Sequence, residues 1–162
     1  MKEKISFNLL EEKDMRFLSE VLTNESILAA LHNEKLSYDE WLDVYRKYWK
    51  NDTDEKHFIM FFEDNPAGWI KINGLDGNNI AWLSMLAVTP EYQRKGLGTK
   101  AVSFFENYIS DRGFSSAGIN TTEDNSAAQK LYKKCGYEIT ERSESVMGDG
   151  SKMISYTFFK KL

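Results

Sequence analysis

The feature that most constrains the fold of this chain is a loop with two glycines, Gly96 and Gly98, between a strand-like run ending at Val88 and a helical pattern beginning at Leu97. The first turn of a helix leaves backbone N–H groups without intrahelical partners, and their dipoles sum to a partial positive charge. An anion binds favourably there, and glycine lets it approach because no Cβ obstructs the backbone. The order strand, loop, helix therefore predicts a phosphate-binding loop at 93–98.

Arg94 and Lys95 add positive charge beside this loop. A glycine pair alone is a weak signal, because Gly-x-Gly is common in ordinary turns. The chain has no Gly-x-x-x-x-Gly-Lys-Ser/Thr motif and no complete Gly-x-Gly-x-x-Gly on an early βαβ unit. The spacing therefore excludes a P-loop NTPase and a Rossmann dehydrogenase.

Apolar periodicity predicts strands and helices on both sides of the loop. Short or alternating apolar runs bounded by Asn, Asp and Gly predict strands, and apolar residues at steps of three and four predict helices. The predicted strands are 5–9, 57–62, 67–72, 80–88, 116–121, 137–146 and 153–159, and the predicted helices are 11–23, 41–49, 97–112 and 125–135. Strands around two late helices indicate an α+β or mixed α/β sandwich.

Two segments resemble motifs of the GNAT superfamily of N-acetyltransferases. The segment from Val88 to Gly98 is similar to a strand followed by the family's Gln/Arg-x-x-Gly-x-Gly/Ala. The segment from Asn125 to Tyr137 resembles Asn-x-x-Ala-x-x-Leu-Tyr-x-x-x-Gly-Phe, and only its final tyrosine differs. Two motifs in the right order are far less expected by chance than either alone. The resemblance is strong over 80–137, and before Ile80 only the order of elements agrees.

The resemblance implies a central, mostly antiparallel sheet of about seven strands flanked by about four helices, with acetyl-coenzyme A (acetyl-CoA) as cosubstrate and no metal. In the family the loop amides bind the pyrophosphate, and the preceding strand offers main-chain groups to the pantetheine arm. Matched position by position, the expected cofactor-binding residues are Leu86, Ala87, Val88, Gln93, Arg94, Lys95, Gly96, Leu97, Gly98, Thr99, Asn125 and Tyr132. Asn125 or Ser126 is also expected to cap the helix that follows.

Acetyl transfer needs a deprotonated amine, a polarised carbonyl and a proton for the leaving thiolate. The resemblance makes Tyr132 the proton donor, and a phenol with a pKa of about 10 holds its proton at neutral pH. Ser84 takes the catalytic position where many relatives have a glutamate, although serine does not readily accept a proton. The amine then loses its proton to a water chain or enters from the neutral fraction, and a backbone N–H near Ala87 or Val88 is expected to polarise the carbonyl.

Three carboxylates are alternative general bases by chain location only: Glu63, Glu123 and Asp124. The aromatic residues of the second predicted helix fall on one side: Trp41, Tyr45, Tyr48 and Trp49. Such a stripe more often faces the core, but in relatives an acceptor wall often forms at this place. The sequence leaves both interpretations open.

The expected function is acetylation of a primary amine on a small molecule, a peptide or a protein. The alternative is a non-catalytic acyl-CoA-binding sensor or interaction module, which the missing strand carboxylate favours and Tyr132 disfavours. Relatives often form dimers through their late strands, and the sequence leaves open whether this chain forms a homodimer.

The composition also bears on the partners, metal sites and location expected for the chain. A formal net charge of -4 gives no electrostatic footprint for nucleic acid. Cys135 is the only cysteine, and His32 and His57 show no ligand spacing, so no metal site is expected. No apolar run approaches the roughly 18 residues that span a bilayer, which predicts no membrane partner and a cytoplasmic location. Without a visible linker, residues 1–162 are expected to form one acetyltransferase domain.

Overall fold

Residues 4–162, which the computed structural model describes, build a seven-stranded sheet with helices on both faces. The strands are β1 Ile5–Leu9, β2 Lys56–Phe62, β3 Asn65–Asn73, β4 Ile80–Val88, β5 Ser116–Thr122, β6 Glu138–Val146 and β7 Lys152–Lys161. The α-helices are α1 Met15–Thr23, α2 Glu25–Leu31, α3 Tyr38–Val44, α4 Leu97–Ser110 and α5 Ser126–Lys134. The mixed α/β fold class and the seven strands predicted from the sequence are confirmed.

The sheet order is β1-β2-β3-β4-β5-β7-β6, and every pair of neighbours is antiparallel except β4 and β5. The parallel pair extends only from Ile80–Ser116 to Leu83–Ile119. On its other side β4 continues to pair with β3 as far as Val88. The carboxyl ends of β4 and β5 are therefore separated, and a gap opens in the sheet.

A β-bulge lies where β4 leaves β5. Lys71 of β3 pairs with Met85 and Ile72 pairs with Leu83, so Ser84 is the extra residue on β4. A bulge bends its strand and increases the local twist. It accordingly marks the residue at which β4 turns away from β5.

Strand alternation divides the buried side chains into two clusters, one on each face of the sheet. On β3, Ile70 packs into the cluster that contains Phe105 of α4, whereas its neighbour Trp69 packs into the cluster that contains Leu18 of α1. Successive strand side chains point to opposite faces, so both faces need a helical cover. Helices α4 and α5 cover the first face, and the helices before β2 cover the second.

The helix α2 was not predicted and brings the number of α-helices in residues 4–162 to five. Asn24 caps it, since the Asn24 side chain accepts hydrogen bonds from the N–H groups of Ser26 and Ile27. At seven residues it is too short for a clear helical period. The first predicted helix begins later than expected, at Met15, after a 3₁₀ turn at Glu12–Asp14.

The aromatic stripe of 41–49 belongs mainly to the core. Trp41 and Tyr45 are buried, but Tyr48 is 67% exposed. After Val44 the helix widens to a π-helix, Tyr45–Trp49, in which the N–H of Lys50 donates to the carbonyl of Tyr45 at 2.9 Å. This wider turn breaks the spacing of three and four that placed Tyr48 in the stripe.

His57 is a buried polar residue under the π-helix, with 3% of its surface exposed. Trp69 Nε1 donates to His57 Nδ1 at 2.9 Å, so the histidine proton lies on Nε2, which contacts Glu55 Oε2 at 2.9 Å. The Trp49 ring stacks on the imidazole with centroids 3.9 Å apart. Burial lowers the pKa of His57 from its ordinary value, despite the opposing effect of Glu55.

The stability of the fold should therefore fall as the pH drops from 7 to 5. Because the native pKa of His57 lies below that of the unfolded chain, about 6.5, the unfolded state binds more protons in this interval. One histidine changes the free energy of unfolding by at most about 1.4 kcal/mol per pH unit. Urea unfolding at several pH values measures the slope.

In His57→Gln this slope should be lost, although the variant is less stable at pH 7. The control is His32→Gln, which removes the other histidine and should keep the part of the slope that His57 causes. An unchanged slope in His57→Gln would show that His57 is not its source.

Candidate active site

A cavity of about 760 Å³ occupies the gap between β4 and β5. Its β4 wall runs from Leu83 to Val88, and its β5 wall comprises Asn120, Thr121 and Thr122. Because no strand pairs with this edge of β4 beyond Leu83, backbone polar groups on that edge face the cavity. An extended ligand can add to such an edge as a further strand would.

The loop that follows β4 closes one end of the cavity. The N–H of Thr89 donates to the carbonyl of Ala67 at 2.9 Å, and Gln93 Nε2 donates to the carbonyl of Val88 at 3.0 Å. These contacts fix the loop against the end of β4. The lining residues of the loop and the first turn of α4 are Tyr92, Gln93, Arg94, Gly96, Leu97, Gly98 and Thr99.

Gly96 is the N-cap residue of α4 and has the geometry of an anion site. Its φ of 80° lies in the left-handed region, and it has no side chain to cap the first N–H groups of the helix. A Cβ built on Gly96 would have no heavy atom within 4 Å. The space above this residue is open, so the first-turn amides are accessible to a diphosphate.

At Gly98 the reason for glycine is different. A Cβ there would lie 2.9 Å from Leu131 Cδ2 of α5. Gly98 lets α4 and α5 approach each other, whereas the sequence interpretation gave it the same role as Gly96. It still lines the cavity, beside Leu131.

Helix α5 carries Tyr132 to the opposite wall. Asn125 caps this helix by accepting a hydrogen bond from the N–H of Ala128 at 3.2 Å, and both residues line the cavity. Of the two residues expected to cap this helix, Asn125 is therefore the cap and Ser126 is not. The side chain of Gln129 donates to the carbonyls of Thr122 and Glu123.

The ring of Tyr132 packs edge-on against Phe158, and 5% of the residue surface is exposed. Tyr132 also lines the cavity. Burial raises the pKa of this phenol well above its ordinary value. Its hydroxyl therefore keeps its proton even in alkaline solution.

The bulge residue Ser84 lines the cavity on β4, opposite the β5 wall. Its hydroxyl donates to Oδ1 of Asn73, at the end of β3. A hydroxyl has one proton and two lone pairs. Because the proton is directed to Asn73, the lone pairs of Ser84 are left to accept a hydrogen bond.

Two of the expected cofactor-binding residues, Ala87 and Lys95, are not among the described residues that line the cavity. The side chain of Ala87 is buried in the core on the α1 face, and its pairing with Trp69 directs its backbone N–H toward β3. The ammonium of Lys95 lies 5.6 Å from the Phe62 ring centroid. None of the three alternative bases, Glu63, Glu123 and Asp124, is among the described residues that line the cavity, and neither is any residue of the aromatic stripe.

Other lining residues were missed by the sequence analysis: Ala30, Leu31, Met85, Asn120, Met147 and Ser155. They come from α2, β4, β5, the turn after β6, and β7. No local signal marks them, since the tertiary fold alone brings these segments together.

Within 4–162 there is no helix long and apolar enough to cross a membrane. The same residues contain no group of three or more His, Cys, Asp or Glu side chains arranged to hold a metal ion.

Comparisons with known proteins agree on one family. The family model described as acetyltransferase (GNAT) family matches residues 23–137. Probable N-acetyltransferase 14 of Xenopus tropicalis is 28% identical over 81 residues, which are 50% of this chain but 39% of that protein. Spermidine N(1)-acetyltransferase of Escherichia coli K12 is 24% identical over 136 residues, 80% of this chain and 70% of the relative.

A solved structure has the same fold. The spermidine N-acetyltransferase from Vibrio cholerae, crystallised in complex with CoA and spermine, superposes with a TM-score of 0.86. It is 20% identical, and the match covers 97% of this chain and 95% of the other. At this identity the likeness shows the fold alone.

Replacement of Gly96 by alanine should weaken acetyl-CoA binding at least about tenfold, because the new methyl group enters the open space in which the diphosphate is expected to lie. The left-handed backbone also makes alanine destabilising here, by about 1 kcal/mol. Titration calorimetry measures the affinity, and thermal unfolding measures the stability.

Gly113 provides a matched control. It has a φ of 87° and open space around its Cβ position, but it follows α4 at the end away from the loop. Gly113→Ala should lose similar stability and keep full affinity. Equal affinities in the two variants would contradict the assignment of Gly96.

Proposed function

The chain belongs to the GNAT family of acetyl-CoA-dependent N-acetyltransferases, and we propose that it acetylates a primary amine by direct attack, with Tyr132 as general acid to the departing thiolate. The observation that supports this best is the shared cavity: Ser84, Tyr132 and the glycine loop all line the gap between β4 and β5. A proton donor, a polar group for the amine and an anion site thus face one space.

The residues present fit acetyl-CoA, which supplies an activated acetyl thioester when bound. We assign its diphosphate to the backbone N–H groups at the start of α4, with Arg94 adding positive charge. The pantetheine arm is assigned to the free edge of β4 from Leu86 to Val88. Asn125 lines the same cavity and is also assigned to the binding of acetyl-CoA.

The free edge of β4 also supplies the electrostatic part of the mechanism. Of the two N–H groups expected to polarise the carbonyl, that of Val88 lies on the free edge of β4, because the N–H groups of its neighbours Ala87 and Thr89 are directed toward β3. The pairing of β4 with β3 holds this N–H in place. A fixed donor stabilises the negative charge that develops on the carbonyl oxygen without reorganising during the reaction. This group takes the role of an oxyanion hole.

Ser84 is assigned to the acceptor amine. Its oxygen accepts a hydrogen bond from the amine N–H, while Asn73 holds the hydroxyl proton and so fixes its direction. No carboxylate is among the lining residues that the structure describes. The amine therefore enters in its neutral form or loses its proton to water in the cavity.

Tyr132 completes the transfer by donating its phenolic proton to the leaving sulfur, while the attacking nitrogen loses a proton to water in the cavity and water returns a proton to the phenolate. Burial raises the pKa of this phenol, which keeps it protonated before the reaction. A relative named as a spermidine acetyltransferase supports an amine as the acceptor. The nature of the rest of the acceptor is not carried over from that name.

A non-catalytic acyl-CoA-binding module is the second candidate function. The observation that favours it is the lack of a carboxylate among the described lining residues. Such a module has no need of a buried phenol at the cavity wall. Thiol release from acetyl-CoA in the presence of a panel of amines separates the two functions, since a binding module releases none.

Tyr132→Phe should reduce the turnover number about 10²-fold or more, because the leaving thiolate loses its proton donor. Acetyl-CoA affinity should change little, since the ring is retained. Thiol release measures turnover, and calorimetry measures affinity.

Tyr137→Phe is the matched control, as it removes the hydroxyl of a neighbouring buried tyrosine. That hydroxyl donates to Glu106 Oε2 at 2.7 Å, and Tyr137 is not among the lining residues. The control should lose stability and keep its turnover number per folded molecule. Unchanged turnover in Tyr132→Phe would remove Tyr132 from the mechanism.

A further inference from the structure

We infer that the acceptor carries its amine on an uncharged, largely apolar body and is not a polycation. This inference rests on the proposed acetyl transfer and names the substrate class for the same cavity. It follows from the neutral residues that line the cavity outside the loop, and from the placement of two nearby carboxylates.

The lining residues outside the loop and α4 are all neutral, and they include Ala30, Leu31, Met85, Asn120, Met147 and Ser155. Four of these side chains are apolar, and two are polar without charge. Across the whole cavity, as far as the described chain shows, Arg94 is the one lining residue with a charged side chain. A positively charged acceptor group therefore meets no carboxylate inside.

Two carboxylates close to these walls, those of Asp124 and Asp149, are bound by other groups. Asp124 Oδ2 lies 2.8 Å from His32 Nε2, and Asp124 Oδ1 accepts from Thr122 Oγ1 at 2.5 Å. Asp149 Oδ1 accepts from the N–H and hydroxyl of Ser151 at 2.9 and 2.6 Å, and its Oδ2 lies 3.7 Å from His32 Nδ1. Neither aspartate lines the cavity.

His32 thus joins three segments behind the wall: the end of α2, the start of α5 and the turn between β6 and β7. The N–H of Asp149 also donates to the carbonyl of His32 at 3.1 Å. These contacts hold the turn against α2, where Leu31 and Met147 form part of the wall. The two aspartates therefore hold the wall segments together, and neither lines the cavity.

The energetic consequence is discrimination against a second ammonium group. A charged group that leaves water for these walls loses its hydration without gaining an opposite charge from a lining side chain. An alkyl body instead buries apolar surface against leucine and two adaptable methionines. An acceptor without a second ammonium group should therefore bind more tightly, because the hydrogen bonds of that group do not offset the cost of burying its charge.

The test compares two acceptors of equal chain length, hexylamine and 1,6-diaminohexane. We expect kcat/KM for hexylamine to be at least about tenfold higher. A wild-type preference for the diamine, or equal values, would overturn the inference.

Met147→Glu places a carboxylate on the wall and should shift the preference toward the diamine by about tenfold or more. Val146→Glu adds the same charge one residue away, at a side chain that is 70% exposed and outside the cavity. This control should keep the wild-type preference. Met147→Gln, of similar size but neutral, should keep it as well, and a diamine shift in either control would contradict the role of the wall.

Calorimetric binding of both amines to the CoA-loaded protein separates this inference from the proposed function. If neither amine is acetylated but hexylamine binds more tightly than the diamine, the inference about the acceptor stands and the proposed transferase function fails. If the protein turns over and prefers the diamine, the proposed acetyl transfer stands and only the inference about the acceptor fails. If neither amine binds nor reacts, the inference is also overturned.

Discussion

The parallel pairing of β4 with β5 ends at Leu83 and Ile119, and the candidate site depends on this early separation. The bulge at Ser84 bends β4 away, while antiparallel pairing with β3 holds the strand rigid on its other side. One edge of β4 therefore has polar backbone groups without a strand to pair with them. A ligand with an extended, hydrogen-bonding arm can satisfy these groups, so the gap serves as a binding slot.

The same separation sets the chemistry of the walls. β4 contributes a serine oriented by Asn73, α5 contributes a buried phenol, and the start of α4 contributes unpaired amides. No described lining residue is a carboxylate, so proton removal from the acceptor is left to water or to the acceptor's own neutral fraction. The lack of charge that makes a general base hard to assign also favours an apolar acceptor.

Sequence reasoning worked where the signal is local. The glycine loop and Tyr132 lie in short segments whose spacing carries the resemblance, and short or alternating apolar runs between turn residues predicted all seven strands. It did not identify Leu31, Met147 and Ser155 as lining residues, because these residues come from distant segments that only the tertiary structure brings together. Two further differences have local causes that spacing does not show, since a π-helix turned Tyr48 outward and Gly98 accommodates Leu131.

A crystal structure with acetyl-CoA tests the central claim most directly, because it shows where the diphosphate lies. The account predicts the diphosphate at the backbone N–H groups of the first turn of α4, beside Gly96, with the pantetheine arm along the free edge of β4. A diphosphate bound away from this turn, or an arm outside the gap between β4 and β5, would contradict it.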